Sequence, residues 1–345
     1  MKLSERDKKI LHAVISDYIE TAEPVGSRTI SKKHGLNLSP ATIRNVMADL
    51  EEMGLLTQPH TSAGRIPTEY GLRFYVDSML KVKRLSRAEK EKIRNSFKGL
   101  GFDVANILKE ASRILSMASQ HIGVVLAPTF STVRLKHIEF LRLRDNLILV
   151  IFISKSGIVQ HKVIQFEEDL SQDELDKFSR YLDDILSDLT LSEVKQKILE
   201  EMEKEKTAFD EMLSKALKLS KRAFQNGVEE EKDVYIEGHA NILNYPELSD
   251  IETMKAIFKA FEEKSIIIKL LDKSMSATGV QTFIGSENEL IGVEGCSVVT
   301  SPYTKGSSTL GTLGIIGPTR MNYSRVIPLV GYTARLVSEI LAEIL

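Results

Sequence analysis

The 345-residue sequence has little cysteine, no histidine pairs at metal-ligand spacing and no long apolar run. Its single cysteine, Cys296, excludes an internal disulfide framework and a cysteine-built metal cluster. The seven histidines are scattered without an HxxxH or HxH pair, so we expect no metal, no cofactor and no metal-dependent chemistry. The apolar runs "NLILVIFI" at 146–153 and "SIIIKLL" at 265–271 are too short to cross a bilayer. Because the N-terminus also lacks an apolar signal segment, we expect a cytoplasmic protein without a membrane partner.

The composition indicates a folded chain with an uneven charge distribution. Apolar residues make up 42% of the sequence, and its length suffices for two or three domains. The net charge is −2, but residues 1–100 carry 18 Lys and Arg against 12 Asp and Glu, and the remainder carries 28 against 36. The basic N-terminal end is therefore the expected polyanion-facing end, although a surplus of this size is also common in proteins that bind nothing anionic.

The first 85 residues follow the order of a winged helix-turn-helix domain. Apolar periodicity and capping residues predict helices at 4–21, 27–35, 39–53 and 68–85, the second of them capped by Ser27. Between the last two helices, "LLTQPHTSAGRIPTEY" at 55–70 predicts a two-stranded ribbon with Gly64 and Arg65 at its tip. Three helices followed by a ribbon predict a winged-helix DNA-binding domain over 1–85.

The third helix, within "NLSPATIRNVMADLEEMGLL" at 37–56, has its charges in the order that opposes the helix dipole. Arg44 lies near its start, and Asp49, Glu51 and Glu52 lie near its end. Each such charge costs a few tenths of a kcal/mol. An anionic partner at the N-terminal end would compensate, because it would meet the dipole, the free backbone N–H groups and Arg44 together. On its own, the pattern is also that of an ordinary capped surface helix.

In a helix-turn-helix, the second helix of the pair enters the major groove and its first turns contact bases and phosphates. The residues that we predict to read bases are Ser39, Pro40, Ala41, Thr42, Arg44 and Asn45. The residues that we predict to contact the DNA backbone are Ser27, Arg28 and Thr29 before the turn and His60, Thr61, Ser62 and Arg65 in the wing. The three acidic residues of the third helix lie two turns further on and would be lifted out of the groove.

Residues 86–102 are expected to form a linker, and "LSRAEKEKI" at 85–93 continues either as linker or as helix. Beyond it, residues 103–345 alternate helices and strands. Their pattern predicts helices at 103–120, 171–187, 191–226, 246–263 and the C-terminus, and strands at 121–128, within 131–166, and near 265–271, 280–285, 296–303 and 309–317. This order around one mixed sheet resembles a GAF-type sensor domain with an inserted segment at about 145–240. The acidic helices of the insertion present either a solvated face or a subunit interface. The expected class is a multidomain α+β protein.

Two motifs that suggest catalysis or phosphate binding are better explained as strands. "GTLGIIG" at 311–317 has the spacing GxxGxxG and no helix directly after it, so a phosphate loop is not expected. Cys296 has no histidine nearby in sequence and is expected to be a small buried residue. Because no paired acid–base or metal constellation is visible, we expect that the chain is not an enzyme.

The stretch "LSPATIRNVMADLEEMGLLTQPHTSAGRIPTEYGLRFYVD" at 38–77 resembles the N-terminal signature of the bacterial heat-inducible transcription repressor family HrcA. Further resemblance lies in "LSERDKKILHAVISDYIETAEPVGSRTI" near the start and in "IGSENEL" and "LGIIGPTRMNYSRVIPLV" near the end. The resemblance implies a winged helix, a GAF-like domain and an inserted dimerising domain. It also implies a homodimer that represses chaperonin and DnaK-type operons at an inverted-repeat operator, with the chaperonin GroEL keeping the repressor competent. The alternative is a ligand-sensing winged-helix regulator with a GAF-type effector domain.

Overall fold

The computed structural model describes residues 3–61, 63–101, 103–128, 134–144, 146–155, 159–205, 211–224, 233–248, 250–287, 295–306 and 308–344. Across these ranges the chain forms a small N-terminal helical unit with a hairpin, a five-stranded sheet with helices on both faces, and a separate three-stranded sheet with its own helices. In this part of the chain, no helix is both long and apolar enough to cross a membrane.

The N-terminal unit has the order that the sequence predicts. It consists of α1 Glu5–Thr21, α2 Ser27–Lys33, α3 Pro40–Glu52, the hairpin β1 Leu56–Thr57 and β2 Ile66–Pro67, and α4 Glu69–Ser78. Ser4 and Asp7 form a capping box that fixes the start of α1. The three helices pack through apolar side chains at helical spacing, namely Ile10, Leu11, Val14, Ile30, Ile43, Val46 and Leu50. The winged helix-turn-helix is thereby confirmed.

Two details of this unit differ from the prediction. Ser27 is the first residue of α2 and not its cap, because Gly26 occupies the N-cap position without a side-chain hydrogen bond. The helix expected at 68–85 ends already at Ser78, and a non-helical connector follows up to Ser86. Within the expected linker at 86–102, the segment for which the sequence leaves linker and helix open forms a helix, α5 Arg87–Ser96, whose Ile93 is buried.

The larger sheet is formed by strands that lie far apart in sequence. Its strands are β3 Ile122–Leu126, β7 Val234–Glu237, β8 Gln281–Ile284, β9 Cys296–Lys305 and β10 Ser308–Pro318, in the order β7-β3-β10-β9-β8. One face packs against α6 Val104–Ser119 and α12 Tyr323–Ile344, and the other against α10 Ile251–Glu262 and α11 Lys264–Lys273. Because the core on the α6 and α12 side is continuous with that of the winged helix, the two units form one hydrophobic cluster.

Two expectations about this sheet are wrong. Every strand pairing recorded for the described residues is antiparallel, so the sheet is not mixed, although the surrounding domain is α/β. The run at 265–271 lies in α11, because Ile267, Leu270 and Leu271 recur at helical spacing and bury one face against the sheet.

The glycines of 311–317 serve close packing inside β10. A Cβ on Gly311 would lie 2.4 Å from the Leu126 carbonyl oxygen, and one on Gly317 would lie 2.9 Å from the His121 ring. The strand interpretation of this motif is therefore confirmed. Cys296 is 1% exposed, and burial raises the pKa of its thiol to about 12, so it is the small buried residue that the sequence predicts.

The smaller sheet lies between β3 and β7 in sequence and has its own core. It consists of β4 Leu135–Arg144, β5 Leu147–Ser154 and β6 Val159–Gln165, followed by α7 Gln172–Leu186, α8 Leu191–Glu205 and α9 Glu211–Phe224. The core of this segment starts at Leu135, before the boundary expected at 145. Buried and half-buried residues alternate along β5, so the helices cover one face of the sheet only.

Candidate nucleic-acid interface

The N-terminal end of α3 is capped by Ser39, which binds Thr42; the sequence assigns both residues to base reading. The Thr42 backbone N–H donates to Ser39 Oγ at 3.1 Å, and the two side-chain hydroxyls lie 2.9 Å apart. Pro40 occupies the first turn, where its missing N–H costs nothing. Since Ile43, Val46, Met47 and Leu50 are buried against the core, the opposite face of α3 points away from the protein.

The outward face of α3 carries the remaining predicted base-reading residues. Pro40, Ala41, Arg44 and Asn45 are exposed together with Ser39, and Thr42 is half-buried. No acidic residue lies in the first turn of α3. Within the described part of the chain, Arg44 has no ion pair or hydrogen bond, so its guanidinium is available to an external acceptor. The structure brings all six of these residues to one end of one helix.

The preceding helix α2 is fixed by a carboxylate on α1. Asp17 is 3% exposed, and its Oδ1 lies 2.9 Å from both Lys33 Nζ and His34 Nε2. Burial alone raises the pKa of Asp17, but the hydrogen bonds from Lys33 and His34 outweigh it and hold the pKa below its usual value. At the other end of α2, Arg28 and Thr29 are exposed and Ser27 is half-buried. The pair α2 and α3 is thus held in a defined orientation.

The wing is closed by backbone contacts. Gln58 Nε2 donates to the carbonyl oxygens of Thr61 at 2.9 Å and Ala63 at 3.0 Å. A Cβ on Gly64 would lie 2.4 Å from the Val25 carbonyl group, so only glycine allows the wing to approach this segment. His60 and Thr61 are exposed at the tip, and Ser62 lies outside the described residues.

Arg65 has a partner within the protein. Its Nη2 lies 2.8 Å from Oε2 of Glu51 at the end of α3, and the side chains are 17% and 32% exposed. The Arg65 backbone also exchanges two hydrogen bonds of 2.9 Å with Val25. This ion pair connects α3 to the wing. The sequence alone does not identify Glu51 as a functional residue. A cation in the wing and a carboxylate at the end of a helix do not by themselves indicate that the two side chains meet.

The winged helix is attached to the larger sheet by two clamps, which the sequence did not predict. In the first, α4 contacts the 282–287 segment: Arg73 forms an ion pair with Glu287 and donates to the Thr282 carbonyl oxygen at 2.6 Å, and the Ser286 N–H donates to Glu69 at 3.0 Å. Burial raises the pKa of Glu287, but the bonds from Arg73 and the Ile284 N–H outweigh it and lower that pKa below its usual value.

In the second clamp, Arg320 joins the end of α1 to the loop after β7. Its Nη1 donates to the Ile19 carbonyl oxygen at 3.1 Å, and its Nε donates to Glu247 at 2.5 Å. The guanidinium also lies 5.4 Å from the centre of the Tyr245 ring, whose hydroxyl is 2.8 Å from His121 Nδ1. Burial, with the nearby positive Arg320, lowers the pKa of His121 to about 4, so this imidazole is neutral at pH 7.

No cluster of three or more His, Cys, Asp or Glu side chains suited to a metal ion occurs among the residues that the structure describes. The site offers hydrogen-bond donors, the exposed guanidinium groups of Arg28 and Arg44 and the N-terminal end of a helix, a set suited to an anionic partner.

Two family models together match most of the chain. The model "Winged helix-turn-helix transcription repressor, HrcA DNA-binding" matches residues 2–74, and "HrcA protein C terminal domain" matches residues 105–327. The chain is 54% identical over 342 residues to the heat-inducible transcription repressor HrcA of Syntrophobacter fumaroxidans, covering 99% of this chain and 98% of that one. It is 50% identical over 339 residues to that of Geobacter sulfurreducens, covering 98% of each. A solved structure described as a hypothetical protein shares the fold, with a TM-score of 0.66, 24% identity and full coverage of both chains.

Proposed function

The chain belongs to the HrcA family of heat-inducible transcription repressors, and from this premise we propose that it represses chaperonin and DnaK-type operons by binding an inverted-repeat operator as a homodimer. It is a transcription repressor with a winged-helix DNA-binding domain and is not an enzyme. In this proposal it acts in the cytoplasm, bound to the nucleoid when it occupies its operator, and the chaperonin GroEL keeps it competent.

The single observation that carries the DNA-reading part is the exposed first half of α3 with its unpaired Arg44. Lying in the major groove, Arg44 pairs with a guanine edge and Asn45 with an adenine edge, each contributing about 1–3 kcal/mol of discrimination. Pro40 and Ala41 contact a thymine methyl group, while the capping hydroxyls of Ser39 and Thr42 contact base edges or phosphates.

The backbone contacts surround this helix. Arg28 and Thr29, with Ser27 beside them, contact phosphates on one side, and His60 and Thr61 in the wing contact phosphates on the other. Ser62 belongs to the same predicted set. For Arg65 the proposal changes: its ion pair with Glu51 supports a role in holding the wing against α3, and not in contacting a phosphate.

The test is a titration of an inverted-repeat operator duplex and its scrambled copy at several salt concentrations. We expect Arg44→Ala to weaken operator binding by about 1–3 kcal/mol while its affinity for the scrambled duplex falls less. Asp49→Ala, also exposed on α3 but in its second half, is the matched control and should change little. Equal losses from both variants, or the same affinity of the parent protein for both duplexes, would contradict the proposed groove geometry.

The homodimer proposal is supported by the uncovered face of the smaller sheet. Ile148, Val150 and Phe152 of β5 are buried under the helices, so the intervening residues point to the other face. Together with cross-strand neighbours, that face carries eight aliphatic residues, namely Leu141, Leu143, Leu147, Leu149, Ile151, Ile153, Val159 and Val163, and also His137, Glu139 and His161. Three of them, Leu143, Val159 and Val163, are 51%, 59% and 50% exposed. A largely aliphatic face of this kind, with a few polar side chains among the apolar ones, fits an identical copy of itself across a two-fold axis.

Sedimentation of a face variant and an off-face variant tests this assignment. We expect Val163→Asp to shift the protein to monomer at micromolar concentration, because it places a charge in the middle of the apolar face. Ile251→Asp changes an exposed aliphatic residue on α10, 66% exposed against 50% for Val163, and should leave the dimer intact. A monomeric parent protein, or a dimeric Val163→Asp variant, would refute the assigned interface.

Chaperonin dependence fits the topology of the larger sheet. β3 pairs with β10 and β7, and the whole smaller sheet with its helices lies between β3 and β7 in sequence. Such long-range pairings must wait for loop closure, which slows folding and exposes apolar surface in the meantime. We expect refolding of denatured protein to recover more operator binding with GroEL and ATP than without. Equal recovery in both would refute this part.

A further inference from the structure

A cleft on the side of the larger sheet lies between the connector and α12. Its volume is about 920 Å³, within the range of small-molecule sites in proteins. One wall is formed by the connector and the start of α5, the opposite wall by the 275–280 turn and β9, and the floor by the first half of α12. Ile327 and Pro328 of this floor and Val280 of the wall line the cleft with apolar groups, together with the ring of Tyr332.

The charges around this cleft are all of one sign. Arg84 and Lys90 line it from the connector side and Arg335 from α12, and no carboxylate occurs among its described lining residues. None of these three cations forms an ion pair with any described residue. Hydroxyl groups fill the space between them, from Ser276, Thr278, Ser301, Thr304, Thr309 and Ser338. Since residues 101–345 carry 28 Lys and Arg against 36 Asp and Glu, a carboxylate-free cationic cleft is unlike its surroundings.

Two residues of the floor disfavour a helix and yet lie inside α12. Pro328 has no N–H, so the carbonyl group of Ser324, four residues earlier, lacks its helical donor. That carbonyl oxygen accepts the Lys83 backbone N–H of the connector at 3.3 Å. Gly331 costs about 1 kcal/mol in a helix interior, but a Cβ there would lie 3.0 Å from the Val280 side chain across the cleft. Pro328 therefore leaves a carbonyl group free to anchor the connector, and Gly331 allows the segment around Val280 to pack close to α12.

We propose that this cleft binds a phosphorylated small molecule of nucleotide size. Guanidinium and ammonium groups without a carboxylate partner are suited to phosphate oxygens, although Arg335 Nε also donates to the Gly331 carbonyl oxygen at 3.4 Å. The apolar floor is suited to a base or another flat apolar group, which would lie beside the Tyr332 ring, 5.7 Å from whose centre Lys90 Nζ lies. The proposal does not depend on the operator function, because ligand binding is measured without DNA. A bound ligand touches both the connector and α12, and so fixes the segment that leads from the winged helix to the sheet.

Titration calorimetry of the full chain with ATP, inorganic pyrophosphate and adenosine tests the site. We expect ATP to bind, pyrophosphate to bind more weakly and adenosine not to bind. Arg335→Gln and Arg84→Gln should each weaken ATP binding about tenfold, the loss expected for one charge-assisted contact. Because both side chains are exposed, neither change threatens folding, which thermal unfolding of each variant verifies.

Two controls separate this cleft from other cationic surfaces. Arg87→Gln removes an exposed cation from α5 that does not line the cleft, and Arg44→Ala removes the cation of the reading helix. Both variants should bind ATP as the parent does. The proposal is refuted if neither ATP nor pyrophosphate binds at millimolar concentration, if adenosine binds as well as ATP, if the two cleft variants bind ATP normally, or if Arg44→Ala loses as much affinity as they do.

Discussion

The ion pair between Arg65 and Glu51 allows a direct test of how the wing contributes to operator binding. If Arg65 positions the wing through Glu51, then removing either partner should have the same consequence. We therefore consider Arg65→Gln, Glu51→Gln and the double variant, measured by fluorescence anisotropy of a labelled operator duplex. Glu52→Gln is the matched control, because Glu52 is the adjacent, exposed carboxylate of α3, with no ion pair among the described residues.

The expected size follows from the exposure of the pair. Fully exposed pairs contribute about 0.2–1 kcal/mol, and breaking a fully buried pair costs about 3–5 kcal/mol. With side chains 17% and 32% exposed and one N–O distance of 2.8 Å, a coupling of about 1 kcal/mol is expected after solvent screening. Arg65 Nε is also buried without a hydrogen-bond partner, so loss of Glu51 leaves a poorly compensated cation. Each single variant should weaken operator binding about fivefold, and the double variant should be no worse.

The salt dependence of binding distinguishes this role from a phosphate contact. The logarithm of the binding constant falls linearly with the logarithm of the salt concentration, and each phosphate that the protein neutralises steepens this slope by about 0.9. If Arg65 only positions the wing, both single variants keep the parent slope. A slope reduced by about one unit in Arg65→Gln, together with unchanged or tighter binding by Glu51→Gln, would show that Arg65 contacts DNA and would refute the positioning role.

Three further predictions concern stability and domain attachment. The pKa of His121 falls from about 6.5 in the unfolded chain to about 4 in the folded one, so folding stability should decrease by up to about 3 kcal/mol as pH falls from 6.5 to 4. In the His121→Gln variant, the midpoint of thermal unfolding should depend less on pH between 6.5 and 4 than in the parent protein. If the midpoints of variant and parent fall in parallel over this range, the prediction is wrong. Arg73→Ala should speed tryptic cleavage in the connector at Lys81, Lys83 and Arg84, because loss of the Arg73 side chain opens the clamp to Glu287. The control variant Arg87→Ala should leave the rate of cleavage at these sites unchanged. Gly71→Ala should lower the thermal midpoint by several degrees, since its Cβ would lie 2.0 Å from the Leu55 carbonyl oxygen, whereas Gly26→Ala, whose Cβ has no neighbour nearer than 3.9 Å, should not.

Local sequence signals were sufficient to predict α3, the proposed reading helix. Its cap, its first-turn proline and its 3–4 apolar spacing are properties of a continuous segment, so both its start and its buried face could be predicted. α11 was predicted wrongly because a short apolar run rich in isoleucine has the composition of a buried strand, and only packing against the sheet decides between the two. The partners of Arg65, Arg73 and Arg320 lie on other elements, and no periodicity identifies such pairs.

The two clamps also restrict how a signal can reach the operator. In a dimer, affinity for two half-sites depends on the distance and angle between the two reading helices. Arg320 holds the end of α1, and Arg73 and Glu69 hold α4, so each winged helix is fixed to its sheet domain at two separate places. Movement of the connector alone cannot rotate a reading helix while both clamps stay closed. If the protein binds its operator as the dimer that we propose, a ligand, chaperone or heating step that releases the operator must open at least one clamp or shift one sheet domain against the other across the dimer axis.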